Sequence, residues 1–111
     1  MKLHKIVYLL HLVGIITNVF RKRIDRRMKI IWSEKSWADY LYWQNTDKQL
    51  LKKINQLIKD IQRNPFDGIG KPEPLKHQFS GFWSRRITDE HRLVYEITQN
   101  SISIASCRYH Y

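Results

Sequence analysis

The residues of this 111-residue chain that could do chemistry gather in its second half. Glu73 stands between Pro72 and Pro74, Lys76 follows, Arg86 closes the run Ser84-Arg85-Arg86, Arg92 comes after Glu90-His91, and the chain ends on Arg108-Tyr109-His110-Tyr111. A carboxylate, several cations and an imidazole can together move protons and stabilise a developing negative charge. Imidazole titrates near neutral pH without a large shift, which suits His110 to proton transfer. The prolines flanking Glu73 keep it out of a helix and restrict its backbone, as a group held at a reaction centre requires. Each residue also has a plainer reading taken singly: Glu73 as an exposed loop carboxylate, the cations as solvated surface charge, His110 as a frayed end. Against the last stands the form of this C-terminus. Chain ends are commonly polar and loosely held, whereas here a strand-like alternation runs into titratable aromatics.

Composition narrows the classes without choosing among them. The formal charge of +10 divides unevenly: residues 1–27 carry seven basic and one acidic side chains, leaving thirteen and nine in residues 28–111. A surplus of that size fits an anionic partner such as nucleic acid and equally an ordinary solvated surface. The single cysteine, Cys107, excludes an internal disulfide framework and fits a reducing compartment. It reads as a small buried thiol. Cys107 and His110 lack a second ligand pair, so no metal and no cofactor are expected. The length is that of one domain with a modest core. All four tryptophans, Trp32, Trp37, Trp43 and Trp83, lie beyond residue 28, which places that core.

The elements that must position these residues can be read in order. Residues 29–32 form a β-branched and aromatic run expected as a strand, and Ser33 can cap a helix over residues 34–45. Trp37, Tyr40, Leu41 and either Tyr42 or Trp43 recur there at helical spacing and are read as core. Thr46 or Asp47 can cap a second helix, in which Leu50, Leu51, Ile54, Leu57, Ile58 and Ile61 share one face. Lys52, Lys53 and Lys59 lie off that face. Asn64-Pro65 ends the helix. Residues 65–74 hold all three prolines with Gly68 and Gly70, a loop that sets the approach of Glu73. Strands are expected over 78–83 with 84–88, over 91–98 and over 102–109, joined as antiparallel neighbours by turns at Thr88-Asp89-Glu90 and Gln99-Asn100. His91, Leu93, Tyr95 and Ile97 share a face that helices should cover, leaving Arg92, with Val94 and Glu96, on the open one. Ile102 and Ile104 fall in step with Arg108 and His110, a conflict that a bulge or bend near Ser106 would resolve.

Residues 1–27 stand apart. An apolar run from Ile6 to Phe20 is followed by Arg21-Lys22-Arg23 and Arg26-Arg27. It is short for a membrane span, and no small-residue cleavage site follows it. The segment is read as an extension that is disordered or apolar, with Met28 as the natural start; a membrane anchor with basic flanks is the other reading.

Several blocks, in order, carry a resemblance. They are Lys29-Ile30-Ile31-Trp32-Ser33-Glu34, Lys71-Pro72-Glu73-Pro74-Leu75-Lys76-His77, Gly81-Phe82-Trp83-Ser84-Arg85-Arg86-Ile87, Glu90-His91-Arg92-Leu93-Val94-Tyr95 and Arg108-Tyr109-His110-Tyr111. Over residues 28–111 the chain resembles the YoeB toxins of the RelE/ParE superfamily. The resemblance implies a small α+β, RelE-like fold with two N-terminal helices packed on a twisted, mainly antiparallel sheet. It implies Glu73, Arg92, His110 and Tyr111 as site residues, and a cytoplasmic toxin that cuts messenger RNA in the ribosomal decoding site. RNA carries its own nucleophile, the 2′-OH, so a base, cations and an acid suffice. Glu73 fits the base, His110 the acid, and Arg92 with Lys76 and Arg86 the cations. Lys52, Lys53 and Lys59 would then meet ribosomal RNA. A YefM-type antitoxin and a homodimer are the implied partners. The competing class is a non-catalytic inhibitor of the gyrase-directed ParE branch or a co-repressor. Members of that branch lack the matched glutamate and terminal histidine.

Overall fold

The computed structural model describes residues 28–110; the extension of residues 1–27 and the terminal Tyr111 lie outside the described residues. A first strand, β1 (Lys29–Trp32), leads into helices α1 (Glu34–Thr46) and α2 (Lys48–Arg63). Then come a two-residue strand β2 (Glu73–Pro74), a 3₁₀ turn over His77–Phe79, and strands β3 (Trp83–Arg86), β4 (Arg92–Thr98) and β5 (Ser101–Ser106). The strands form one sheet in the order β1-β5-β4-β3-β2.

Local chemistry explains the helices. Ser33 Oγ accepts from the Ser36 amide at 3.0 Å, and Asp47 Oδ1 accepts from the Leu50 amide at 3.1 Å, so both caps bind otherwise orphaned donors. The α2 face made by Ile54, Leu57, Ile58 and Ile61 is buried against Leu93, Tyr95, Ile102 and Ile104 of the sheet. Burial of this kind stabilises by about 1.5–3 kcal/mol per large side chain. The helices thus cover one face of the sheet and leave the other open.

Four expectations need correction. The sheet is mixed: β1 pairs with β5 in parallel. Parallel neighbours need a long crossover, and the two helices lie between these strands in sequence. Residues 78–82 do not form a strand, and only Trp83 of that stretch joins β3, because His77 at φ 57° and Gly81 at φ 97° break the extended path, with Ser80 N–H bonded to His77 O. The stretch around Glu73 is more than a loop, since Glu73 pairs with Ser84 and Pro74 with Trp83 at the sheet edge. Finally, Trp37, Leu41 and Tyr42 are exposed. The inward face of α1 is Trp43, the other of the two alternatives, together with the polar Ser36 and Asp39. These bind the backbone of the last strand and the tail: Ser36 Oγ donates to Ile104 O at 2.7 Å, Asp39 Oδ2 accepts from the Cys107 amide at 3.0 Å, and Trp43 Nε1 donates to Cys107 O at 2.8 Å.

A bulge is found where parity required one. Val94 pairs with Ser106 while Tyr95 pairs with Ile104, so Ala105 is the extra residue. Ile102, Ile104 and Cys107 all point into the core. The shift of one place moves the residues beyond the bulge to the other side.

Below the sheet, Arg85 organises the loop before β2. It is fully buried, pairs with Asp60 and donates to the carbonyls of Asn64, Asp67 and Ile69. Tyr95 OH bonds Arg85 Nε at 3.2 Å and donates to Pro65 O at 2.6 Å. Gly70 takes φ 80° with Leu57 against it, leaving no room for a side chain, and its carbonyl accepts from the Arg86 amide. Glu73 is therefore delivered by a loop clamped at several points.

Candidate active site

The open face of the sheet presents rows of paired residues. Glu73 is opposite Ser84, Ser84 opposite Val94 and Val94 opposite Ser106; in the next row Arg86 is opposite Arg92. Directly opposed residues share a face, so these side chains project together. Of these, Glu73, Ser84, Arg86 and Arg92 border a depression of about 260 Å³ that Lys71 and His110 also line.

Carbonyls of the turn between β3 and β4 bind both Arg92 and His110. Arg92 Nη1 donates to Thr88 O at 2.6 Å, His91 O at 3.1 Å and Asp89 O at 3.2 Å. Among the described residues all three bonds fall on Nη1, so Nη2 and Nε have donor capacity for an anion. His110 Nε2 lies 3.1 Å from the same Asp89 carbonyl. A carbonyl oxygen only accepts, so Nε2 carries the proton in this contact. One backbone oxygen thereby spaces the cation and the imidazole. Arg86 Nη1 lies 3.6 Å from the exposed Asp89 carboxylate. Glu73 is exposed at the sheet edge.

Of the expected site residues, Glu73, Arg86, Arg92 and His110 are brought together. Lys76 lines an adjoining depression of about 350 Å³ that shares Glu73 with the first. Lys52, Lys53 and Lys59 sit on α2, in the layer on the other side of the sheet, and none lines either depression. Tyr111 lies outside the described residues. Two lining residues went unassigned from sequence: Lys71, two positions before Glu73, and Ser84, two before Arg86. Period-two spacing from Arg86 on a strand was the signal for Ser84, whereas Lys71, at φ 50° ahead of β2, had no such signal. Cys107, three residues before His110, is fully buried. Burial, with the Asp39 carboxylate adding to it, pushes its thiol up to about 12.

Among the described residues, no helix is long and apolar enough to cross a membrane. Residues 32–111 match the model of the YoeB-like toxin of bacterial type II toxin–antitoxin systems. The chain is similar to the toxin YoeB of Escherichia coli K12, with 73% identity over 84 residues that span 76% of this chain and all of the relative. Among solved structures it is similar to the YoeB dimer of Staphylococcus aureus, with a TM-score of 0.72 and 53% identity over 77% of this chain and 99% of the other. A YoeB–YefM complex from Staphylococcus aureus matches at TM-score 0.71 and 52% identity, covering 76% and 98%. A chain with this fold, this conjunction of side chains and these matches belongs to the YoeB-like toxin family of bacterial type II toxin–antitoxin systems.

Proposed function

We propose that this toxin is a ribosome-dependent endoribonuclease that cuts messenger RNA in the decoding site and so stops translation. The observation that carries the reading is the convergence of Glu73, Arg86, Arg92 and His110 on one depression. In the reaction, Glu73 takes the proton of a ribose 2′-OH. The 2′-oxygen attacks the adjacent phosphorus, the bond to the 5′-oxygen breaks, and His110 Nε2 protonates that leaving oxygen. Arg92 stabilises the charge that builds on the phosphoryl oxygens, with Arg86, Lys71 and Lys76 as further cations and Tyr111 against a base. The products are a 2′,3′-cyclic phosphate and a 5′-hydroxyl. Each role is met by a side chain, so the step calls for no metal. In this reading His110 exchanges Asp89 O for the leaving oxygen as substrate enters.

A depression of about 260 Å³ encloses little RNA, which is why the ribosome is assigned the task of presenting the message. Lys52, Lys53 and Lys59 are assigned to ribosomal RNA phosphates. By analogy with the complex and the dimer named above, a YefM-type antitoxin and a second copy of the chain are the protein partners. The acting unit is residues 28–111 in the cytoplasm, with residues 1–27 dispensable to it. Mapping cuts on a defined message with and without ribosomes tests the reading. Cuts confined to ribosome-bound message are expected. Equal cutting of naked RNA would remove the ribosome from the account, and inhibition without cuts would favour a ParE-like inhibitor.

A further inference from the structure

His110 is delivered by a stretch of chain that no strand ladder holds. After Ser106 the chain leaves β5 and bends through residues 107–109. Tyr109 sits at φ 64°, a left-handed conformation that costs energy in a residue with a side chain and persists only where contacts enforce it. Those contacts come from two consecutive residues. The Tyr109 carbonyl accepts from the Arg92 amide at 3.0 Å, and the Tyr109 amide donates to His91 Nδ1 at 2.7 Å. His91 is a buried histidine with its ring edge-on to Trp43, the centroids 4.8 Å apart. A ring nitrogen that accepts carries no proton, so the imidazole is neutral with its proton on Nε2. Nothing in the cleavage chemistry uses this ring.

We propose that His91 is a positioning residue for His110. Its Nδ1 latches the Tyr109 amide, the latch pins the tail beside β4, and the next residue is thereby set at the Asp89 carbonyl that Arg92 also engages. Main-chain and side-chain groups of one dipeptide, His91-Arg92, then fix both the cation and the imidazole. The inference rests on the acid role assigned to His110 above.

Two substitutions separate latching from packing. His91→Phe keeps a ring against Trp43 and removes the acceptor. His91→Asn removes the ring and keeps an oxygen acceptor where Nδ1 stood. Amide hydrogen exchange at Tyr109 and single-turnover cleavage of ribosome-bound message are measured on the full chain. In His91→Phe the Tyr109 amide should exchange roughly tenfold faster, the value of one lost hydrogen bond. Its maximal cleavage rate should fall about ten- to a hundredfold, with the half-saturating ribosome concentration unchanged. His91→Asn should stay within about threefold of the parent in both. Slow exchange and full rate in His91→Phe would overturn the inference. So would a His91→Asn protein as impaired as His91→Phe, because a packing role makes phenylalanine the better substitute. If the parent itself fails to cleave, the ribonuclease reading falls, and the exchange rates alone still decide whether the latch exists.

Discussion

Arg85 and Arg86 are neighbours on β3 and share almost nothing else. Arg85 points to the helix-covered face, is fully buried, and spends its donors on Asp60, Tyr95 and three loop carbonyls. Arg86 points to the open face, borders the depression and, among the acids of the described residues, meets only the exposed Asp89. Arg92, opposite Arg86, is tied to the turn by one nitrogen, and its other donors have no acceptor among the described residues. Strand parity, not charge, thus divides these arginines between holding the fold and serving the site. A buried guanidinium is retained where every donor finds an acceptor; an open one is useful where some do not.

The division predicts effects that separate cleanly. Glu73→Gln and His110→Gln should each slow single-turnover cleavage by about 10²- to 10⁴-fold, the usual contribution of a general base or acid. Both side chains are exposed, so thermal stability should not change. Arg92→Ala should cost roughly 10²- to 10³-fold, as the loss of one donor to a developing anion does.

Arg85→Ala should behave in the opposite way. Removing it strands the Asp60 carboxylate and three carbonyls, an expected loss of about 3–5 kcal/mol in denaturant unfolding. A stable but inactive Arg85→Ala protein would break the comparison. Burial alone would raise the Asp60 carboxyl, but the Ile69 amide and the Arg85 guanidinium outweigh it and hold the group below its ordinary value. Its contribution is therefore present above about pH 4 and is lost as pH falls through the depressed folded-state value. The stability gap between the parent and Asp60→Asn should be open at neutral pH and close under acid.

The smallest effect is expected on the helical layer. Charge reversal at Lys52 and Lys53 should raise the apparent KM for ribosomes and leave kcat nearly untouched, since α2 lies across the sheet from the chemistry. Binding should weaken as salt rises. Salt-insensitive binding would remove the phosphate contacts from the account.

Legibility in the sequence divides along the same physical line. The α2 period, the caps at Ser33 and Asp47, the parity of β4 and the bulge next to Ser106 are local or short-range signals, and each is present. Features that could not be read depend on distant partners. The phase of α1 is set by Ser36, Asp39 and Trp43 reaching the backbone of residues 104–107, which apolar spacing does not reveal. The place of β1 beside β5 depends on the crossover, and that of Glu73 on pairing with Ser84. Resemblance pointed to Glu73, Arg92 and His110, and their convergence became visible only once the rows of the sheet were paired. The role of Arg85 was hidden among three basic residues whose types alone look alike.

The central claim, that Glu73 and His110 act as base and acid on a 2′-hydroxyl nucleophile, is tested most directly by the ends of the cut message. Ribosomes carrying a defined transcript would be treated with the full chain in the presence and absence of a chelator. The fragments would then be analysed for terminal phosphates. The account predicts a 2′,3′-cyclic phosphate on the upstream fragment and a 5′-hydroxyl on the downstream one, unaffected by the chelator beyond its effect on the ribosome. A 5′-phosphate on the downstream fragment, or the same products at full rate from the Glu73→Gln protein, would contradict it.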